Sequence, residues 1–250
     1  MIPVSLGVPM YRSERFLENL FEALIKLDPW PAEVILLDDA SPDASYQLAE
    51  AFAASAPFKV TLVRNEANSG IAAAYNRLAV LAKHRWVHVL DADDYPVEND
   101  YYACISPHLA GQASAVVTGL QSNSGALRIG NRLLGRFVPR HPASWWPLLG
   151  SFATRSGVIY RREWLLAHPF PDPAYPGSDI VHLLSLREKS RIAFERSAHI
   201  FYTVHANAAS SQARDFGRYT SELRRFAPVT RAAHLADLAV RRLGQVLDRS

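Results

Sequence analysis

From Val4 to Leu90 the chain alternates short apolar runs with longer amphipathic ones, a pattern that admits little besides a parallel sheet covered by helices. Val4-Ser5-Leu6-Gly7-Val8 reads as a first strand ended by Pro9. Ser13 can cap a helix over residues 14–27, where Phe16, Leu17, Leu20, Phe21, Leu24 and Leu27 recur at helical spacing. Pro29 and Pro31 stop it. The same reasoning predicts a strand over 34–37, a helix near 46–55, a strand over 60–63, a helix over 72–84 and a strand over 86–90. This βαβαβαβ order is doubly wound, so a ligand belongs beyond the C-terminal ends of the strands.

Two of those ends are acidic. Val89-Leu90-Asp91-Ala92-Asp93-Asp94 puts three carboxylates at the end of a buried strand, and Glu33-Val34-Ile35-Leu36-Leu37 empties into Asp38-Asp39-Ala40-Ser41-Pro42-Asp43. Carboxylates so dense at a strand end hold a metal ion and, through it, a phosphate. The plainer alternative is an acidic turn leaving a strand. Two such ends in one sheet can converge on a single site.

At 250 residues, 49% of them hydrophobic, the chain can bury one substantial core with a smaller appendage. Its first residues carry no basic flank or cleavage site, and nothing approaches the ~18 uninterrupted apolar residues that span a bilayer. A cytoplasmic protein is the expectation, peripheral at the inner face of the membrane if its basic surface meets lipid. The single cysteine, Cys104, cannot form an internal disulfide and reads as a small buried apolar residue. Formal charge is +3, with much of the arginine after residue 120, which suggests an anionic partner for the second half. No zinc finger, aromatic-and-basic platform or other nucleic-acid module appears.

Beyond Val116-Val117 the periodicity weakens, and residues 122–147 read as a long irregular insertion rich in Gly, Arg, Pro and Trp. Within it Arg128, Arg132, Arg136 and Arg140 are spaced by four, which on a helix is either a solvated face or a surface for an anionic acceptor or lipid headgroups. Trp145-Trp146 follow, to stack on a sugar ring or to anchor the insertion. Regularity returns at Gly157-Val158-Ile159-Tyr160-Arg161-Arg162, with a helix over 179–189 and a strand over 192–194. The last forty or so residues are helical in pattern and suit packing on the domain, a homodimer or a membrane surface. The expected division is 1–118 and 119–211 within the same domain, followed by 212–250 as a C-terminal helical extension.

Taken as an ordered series over residues 2–211, these motifs resemble the family 2 inverting nucleotide-sugar glycosyltransferases. The segments that carry the resemblance are Val8-Pro9-Met10-Tyr11, Leu37-Asp38-Asp39-Ala40-Ser41-Pro42-Asp43, Asn68-Ser69-Gly70 with Asn76, Asp91-Ala92-Asp93-Asp94, Gly177-Ser178-Asp179 and Tyr202-Thr203-Val204-His205. The resemblance implies the GT-A fold, α/β with a Rossmann-like, mostly parallel sheet flanked by helices. It also implies Mn2+ or Mg2+ and a nucleotide-sugar donor, with uridine diphosphate as the expected carrier. The acceptor would be a hydroxyl on a glycan or lipid-linked chain in cell-surface polysaccharide synthesis, and the sugar a hexose or N-acetylhexosamine.

Asp93 is the first candidate for the metal, while Asp91 either shares it or holds the ribose, with Ala92 between them in the nucleotide turn. Asp94 either joins them or turns back to cap the next segment. Asp39 is expected at the base or ribose, with Asp38 beside it, unless Asp38 or Ser41 merely caps the next helix. Pro9 and Tyr11 would line the base pocket, though Tyr11 suits a core as well. The amides of Asn68, Ser69 and Gly70 precede a helix and are placed to face the nucleotide or sugar, and Asn76 follows by resemblance. Inversion needs a base opposite the leaving diphosphate, and Asp179 is assigned to it by resemblance, although Ser178 and Asp179 would also make an N-cap. His205 is a candidate to touch metal or diphosphate.

Three positions depart from the family pattern: Ser178 where Glu is common, Ala40 where Gly is frequent, and Arg12 where Asn is frequent. Ser178 keeps open a degenerate GT-A fold that binds a nucleotide or partner without turnover. A sugar-phosphate nucleotidyltransferase is disfavoured, because Pro9-Met10-Tyr11-Arg12 stands where that class carries a Gly-rich phosphate loop.

Overall fold

β1 (Ile2–Met10) is buried from Val4 onward, as a strand between two others and covered on both faces must be. It pairs in parallel with β2 (Pro31–Asp38) on one side and β4 (Trp86–Val89) on the other, and β3 (Val60–Arg64) pairs in parallel beyond β2. The remaining strands are β5 (Tyr95–Pro96), β6 (Ala115–Ser122), β7 (Val158–Arg161) and β8 (Ile192–Tyr202). The sheet runs β3-β2-β1-β4-β7-β6-β8-β5, with β7 antiparallel to β4 and β6, and β8 parallel to β6. The chain therefore reverses direction across the sheet between β1 and β4, which puts the switch point, and any ligand crevice, at their C-terminal ends.

The computed structural model describes residues 1–123, 155–171, 174, 178–189, 191–205 and 221–222. The arginines at 128, 132, 136 and 140, Trp145-Trp146 and nearly all of 212–250 lie outside the described residues. The expected boundary at 118/119 falls inside β6, so the two parts share one sheet. No helix among the described residues is long and apolar enough to cross a membrane.

Side chains that alternate along the strands feed two cores. Val34 and Leu36 of β2 join Val4, Leu6, Val8 and Met10 of β1 under α1 (Glu14–Lys26), α2 (Ser45–Ser55) and α4 (Tyr101–Leu109). Ile35 and Leu37 face the other way, toward α3 (Ile71–Leu81), α5 (Arg162–Ala167) and α6 (Ser178–Lys189). In α1, Leu17, Leu20 and Leu24 are fully buried, each worth about 1.5–3 kcal/mol of apolar transfer. Gly7 lets α3 settle on the sheet, since a Cβ there would stand 3.0 Å from the Leu78 side chain. Two helices escape the sequence pattern: α4 contains Pro107 and adjacent tyrosines, and α5 is only 6 residues long. Cys104 sits half-buried on α4 against the first core.

β1 and β8 run well past their apolar runs. β1 continues through Pro9 to Met10, because the Gly7 carbonyl takes the last β4-side bond, from Leu90 N–H, and the N–H that Pro9 lacks would fall beyond it. β8 reaches Tyr202 because its register on β6 jumps between Val117 and Gly119. The extra residues form a bulge in which Glu195 accepts from the backbone and hydroxyl of Ser197. That polar interruption hides the strand from an apolar-run reading.

The turns after β1 and β2 lock together. Asp39 N–H donates to the Met10 carbonyl, Arg12 N–H to Ser41 Oγ and Ser13 N–H to Ser45 Oγ. Ser13 does not cap α1 with its side chain. Instead Asp43 accepts from Glu14 N–H at 3.4 Å while Glu14 accepts from Ala44 N–H at 2.8 Å, so each helix start borrows a carboxylate from the other turn. Arg12 and Ala40 both take positive φ, 54° and 57°. They are two of the positions where the chain departs from the family pattern, and the left-handed region costs a residue with a Cβ about 1–2 kcal/mol.

His88, at the centre of β4, is fully buried. Its Nε2 lies 2.6 Å from the Ser156 carbonyl and its Nδ1 2.9 Å from Tyr102 Oη. A carbonyl only accepts, so Nε2 carries the proton and Nδ1 accepts from the tyrosine. Burial lowers the imidazole pKa to about 4, against the opposing pull of the Ser156 carbonyl.

Two predictions follow from these local states. Ala40→Gly should raise stability by about 0.5–1 kcal/mol, the relieved strain less the entropy glycine adds to the unfolded chain; an unchanged or lower urea midpoint would refute it. For His88 the unfolded imidazole takes up a proton near its ordinary pKa while the folded one resists it down to about 4. Its contribution is therefore complete above about pH 6.5 and declines through that window by about 3 kcal/mol. Urea melts at pH 7 and 4.5 should show a steeper loss for the wild type than for His88→Gln, and equal losses would exclude this role.

Candidate active site

Asp94 N–H donates to the Asp91 carbonyl at 3.0 Å, closing a four-residue turn directly after β4. The turn gathers Asp91, Asp93 and Asp94, each offering one carboxylate oxygen within 4.8 Å of the others. Asp94 is buried: Oδ1 accepts from Thr203 N–H at 3.0 Å, and Oδ2 makes no hydrogen bond among the described residues. Burial, then the charges of Asp93 and Asp91, hold its pKa well above the usual carboxylate range. Burial and the Asp91 charge also raise Asp93, against the pull of His205.

Such a donor set fits a hard divalent cation, which takes oxygen ligands and would supply the charge that this crowded, partly buried trio lacks. The Oδ2 of Asp94, without a hydrogen bond among the described residues, argues most directly for that fit, since a buried carboxylate oxygen lacking one is costly.

Asp91 is held from two sides. Tyr75 Oη donates to Oδ1 at 2.8 Å, and the Arg155 guanidinium pairs with Oδ2. The guanidinium also lies 4.0 Å over the Tyr75 ring. His205 Nε2 is 2.9 Å from Asp93 Oδ2. Asn123 fixes the approach to it, donating to the Val204 carbonyl and accepting from Val204 N–H. Phe16 packs on the imidazole at 4.7 Å, and Arg15 reaches Nδ1 at 3.2 Å. Arginine only donates, so Nδ1 accepts and Nε2 carries the proton to Asp93. In this state His205 orients Asp93, and binding a metal through Nε2 would require giving up that proton.

The second acidic turn is organised around Asp39. Asp39 is buried and accepts from Asn65 Nδ2 at 2.5 Å, from the amide and hydroxyl of Ser69 at 2.9 Å, and from Gly70 N–H at 3.0 Å. The Ser69 and Gly70 amides therefore point at Asp39, which makes it the hub that shapes this wall of the crevice. Asn68 Oδ1 accepts from Gly70 N–H as well, and Gly70 sits at φ 85° at the start of α3, a conformation glycine adopts without strain. Asp38 is buried in an ion pair with Arg64 at 3.0 Å and accepts from Ser41 N–H. The start of α2 is held by Asp43, which takes Ser45 N–H at 3.2 Å, together with Glu14.

Pro9 lies near the end of β1 and Tyr11 just beyond, 42% exposed and so not a core aromatic. Ala92 is buried within the 91–94 turn. Asn76, expected near the nucleotide, closes two bonds from its amide to the Phe170 backbone, donating at 2.9 Å and accepting at 2.8 Å. It ties α3 to the segment after α5. Asp179 is the second residue of α6, and its side chain lies outside the described residues. Tyr75, Asn123 and Arg155 were not singled out from sequence. Arg155 stands 64 residues from its partner Asp91, and no local spacing links such distant residues.

Residues 5–167 match the family described as glycosyl transferase family 2, well over half of the chain. An uncharacterized glycosyltransferase EpsJ of Bacillus subtilis is 34% identical over 96 residues, 38% of this chain and 27% of that protein. Glycosyltransferase GlyG of Streptococcus pneumoniae is 31% identical over 96 residues, 38% of this chain and 32% of that protein. The matched part thus spans about a third or less of these relatives' length. Among solved structures, S. aureus TarS 1-349 in complex with UDP-GlcNAc shares the fold with a TM-score of 0.67 at 21% identity, over 90% of this chain and 65% of that one. The mannosyltransferase PcManGT from Pyrobaculum calidifontis, in complex with GDP-Man and Mn2+, gives 0.66 at 20% identity, over 89% and 60%. The fold is GT-A, and the chain belongs to glycosyl transferase family 2.

Proposed function

We propose that the protein transfers a sugar, with inversion and with the help of a divalent cation, from a nucleoside diphosphate donor to an acceptor hydroxyl. The observation that carries this reading is the convergence of the Asp91, Asp93 and Asp94 carboxylates at the end of β4, with a buried Asp94 oxygen that makes no hydrogen bond among the described residues. Family membership and the nucleotide-sugar complexes of the structural neighbours support it. Uridine diphosphate is the preferred carrier, as in the TarS complex, and the sugar a hexose or N-acetylhexosamine. A glycan or lipid-linked acceptor in cell-surface polysaccharide synthesis completes the reading.

Asp93 and Asp94, with Asp91, would hold Mn2+ or Mg2+. A cation bound there neutralises the diphosphate and stabilises it as a leaving group. His205 keeps Asp93 oriented through its Nε2 proton. Asp39 holds the Asn65–Gly70 loop in shape, and Pro9 and Tyr11 stand at the edge assigned to the base. Asp179 takes the acceptor's proton as the acceptor oxygen bonds to the anomeric carbon. The bond from that carbon to the phosphate oxygen breaks on the opposite face, and its electron pair leaves with the nucleoside diphosphate.

Asp93→Ala should abolish metal-dependent binding of UDP-sugars, read by calorimetry. Asp179→Asn should keep donor binding within a few-fold and lose transfer by 10²–10⁴-fold, the usual weight of a general base. A fully active Asp179→Asn protein would sink the base assignment. Donor binding without turnover in the wild type, across acceptors, would favour the degenerate fold that Ser178 brings to mind.

A further inference from the structure

Arg155 opens a short 3-10 turn, Arg155–Gly157, that buried groups hold from below. His88 Nε2 donates to the Ser156 carbonyl at 2.6 Å, Thr118 Oγ1 donates to the Gly157 carbonyl at 3.1 Å, and Asp91 N–H donates to Ser156 Oγ at 3.3 Å. The root of the side chain is thus fixed to β4 and β6. Its far end lies over Tyr75 and pairs with Asp91, and both charged side chains are largely shielded from water, at 16% and 19% exposure.

A permanent cation beside carboxylates suited to a divalent ion has an electrostatic consequence. The oxygens of the trio stand within 4.8 Å of one another, so a guanidinium in contact with Asp91 is within about 6 Å of any ion they share. Like charges at that range, in a partly buried site, shift affinity by about tenfold or more. The arrangement is useful only if the site also receives an anion. The planar guanidinium fork matches phosphate oxygens in a way an ammonium does not.

We propose that Arg155 is a built-in counter-cation of this site: it ties down Asp91, weakens binding of a divalent ion by itself, and contacts the diphosphate of the nucleotide donor. Metal and diphosphate then bind cooperatively, each supplying the charge the other needs. The proposal rests on the donor-binding function advanced above, and it identifies a residue that lies outside every motif of the sequence.

The test titrates Mn2+ alone, followed by free-ion paramagnetic resonance, and then UDP and GDP at saturating Mn2+ by calorimetry, on wild type, Arg155→Gln and Arg155→Lys. Arg155→Gln should bind Mn2+ about tenfold more tightly and nucleoside diphosphate about tenfold more weakly. Arg155→Lys should return Mn2+ affinity to the wild-type value and recover only part of the diphosphate affinity. A merely structural arginine would weaken both ligands together on substitution. That result, or unchanged Mn2+ affinity in Arg155→Gln, overturns the proposal. The lysine variant covers the case in which Arg155→Gln fails to fold, since equal diphosphate affinity in Arg155→Lys and wild type removes the role of the fork. A wild-type protein that binds Mn2+ but no nucleoside diphosphate refutes both the phosphate contact and the donor reading. In that event the Mn2+ comparison still decides whether Arg155 opposes a divalent ion.

Discussion

The buried carboxylate of Asp94 joins the two halves of the molecule. Its bond to Thr203 N–H spans 109 residues and fastens the turn after β4 to the chain leaving β8. That tie, together with the hold of Asn123 on Val204, brings His205 to Asp93. The same burial that makes the tie strong leaves the second oxygen of Asp94 without a hydrogen bond among the described residues and raises its proton affinity. Structural anchoring and cation affinity thus have a common origin in one desolvated carboxylate.

Around that turn, charged groups are spent on geometry before they are available to a ligand. Asp39 organises the Asn65–Gly70 loop, Asp38 pairs with Arg64, and Asp43 and Glu14 exchange helix starts. Asp91 is clasped by Tyr75 and Arg155. Below them His88, Tyr102 and Ser156 form a fully buried polar support beneath the site. Pre-orientation of this kind costs nothing at the moment of reaction, which is where electrostatic catalysis gains most.

Much of the first ninety or so residues was legible because their information is local. Alternation of apolar runs marked β1 to β4 and α1 to α3 to within a few residues, and the two acidic strand ends are visible as spelled. The contacts that the sequence does not reveal are made with distant partners. Asn76 follows a recognisable loop yet spends its amide on Phe170, 94 positions away. β8 is concealed by a polar bulge that only its pairing with β6 reveals.

What the sequence alone determined is the alternating order of strands and helices, the two acidic turns and their membership in one ordered series of motifs. These follow from periodicity and composition, which contiguous residues carry between them. The bonds of Asp39 to the Asn65–Gly70 loop, the left-handed backbones of Arg12 and Ala40, and the entry of Arg155 into the acidic site arise in three dimensions. Those outcomes depend on which strand ends the sheet order brings together. Hydrogen bonds and ion pairs reach only about 3 Å, so they are set by where the chain returns in space and not by its spacing along the sequence.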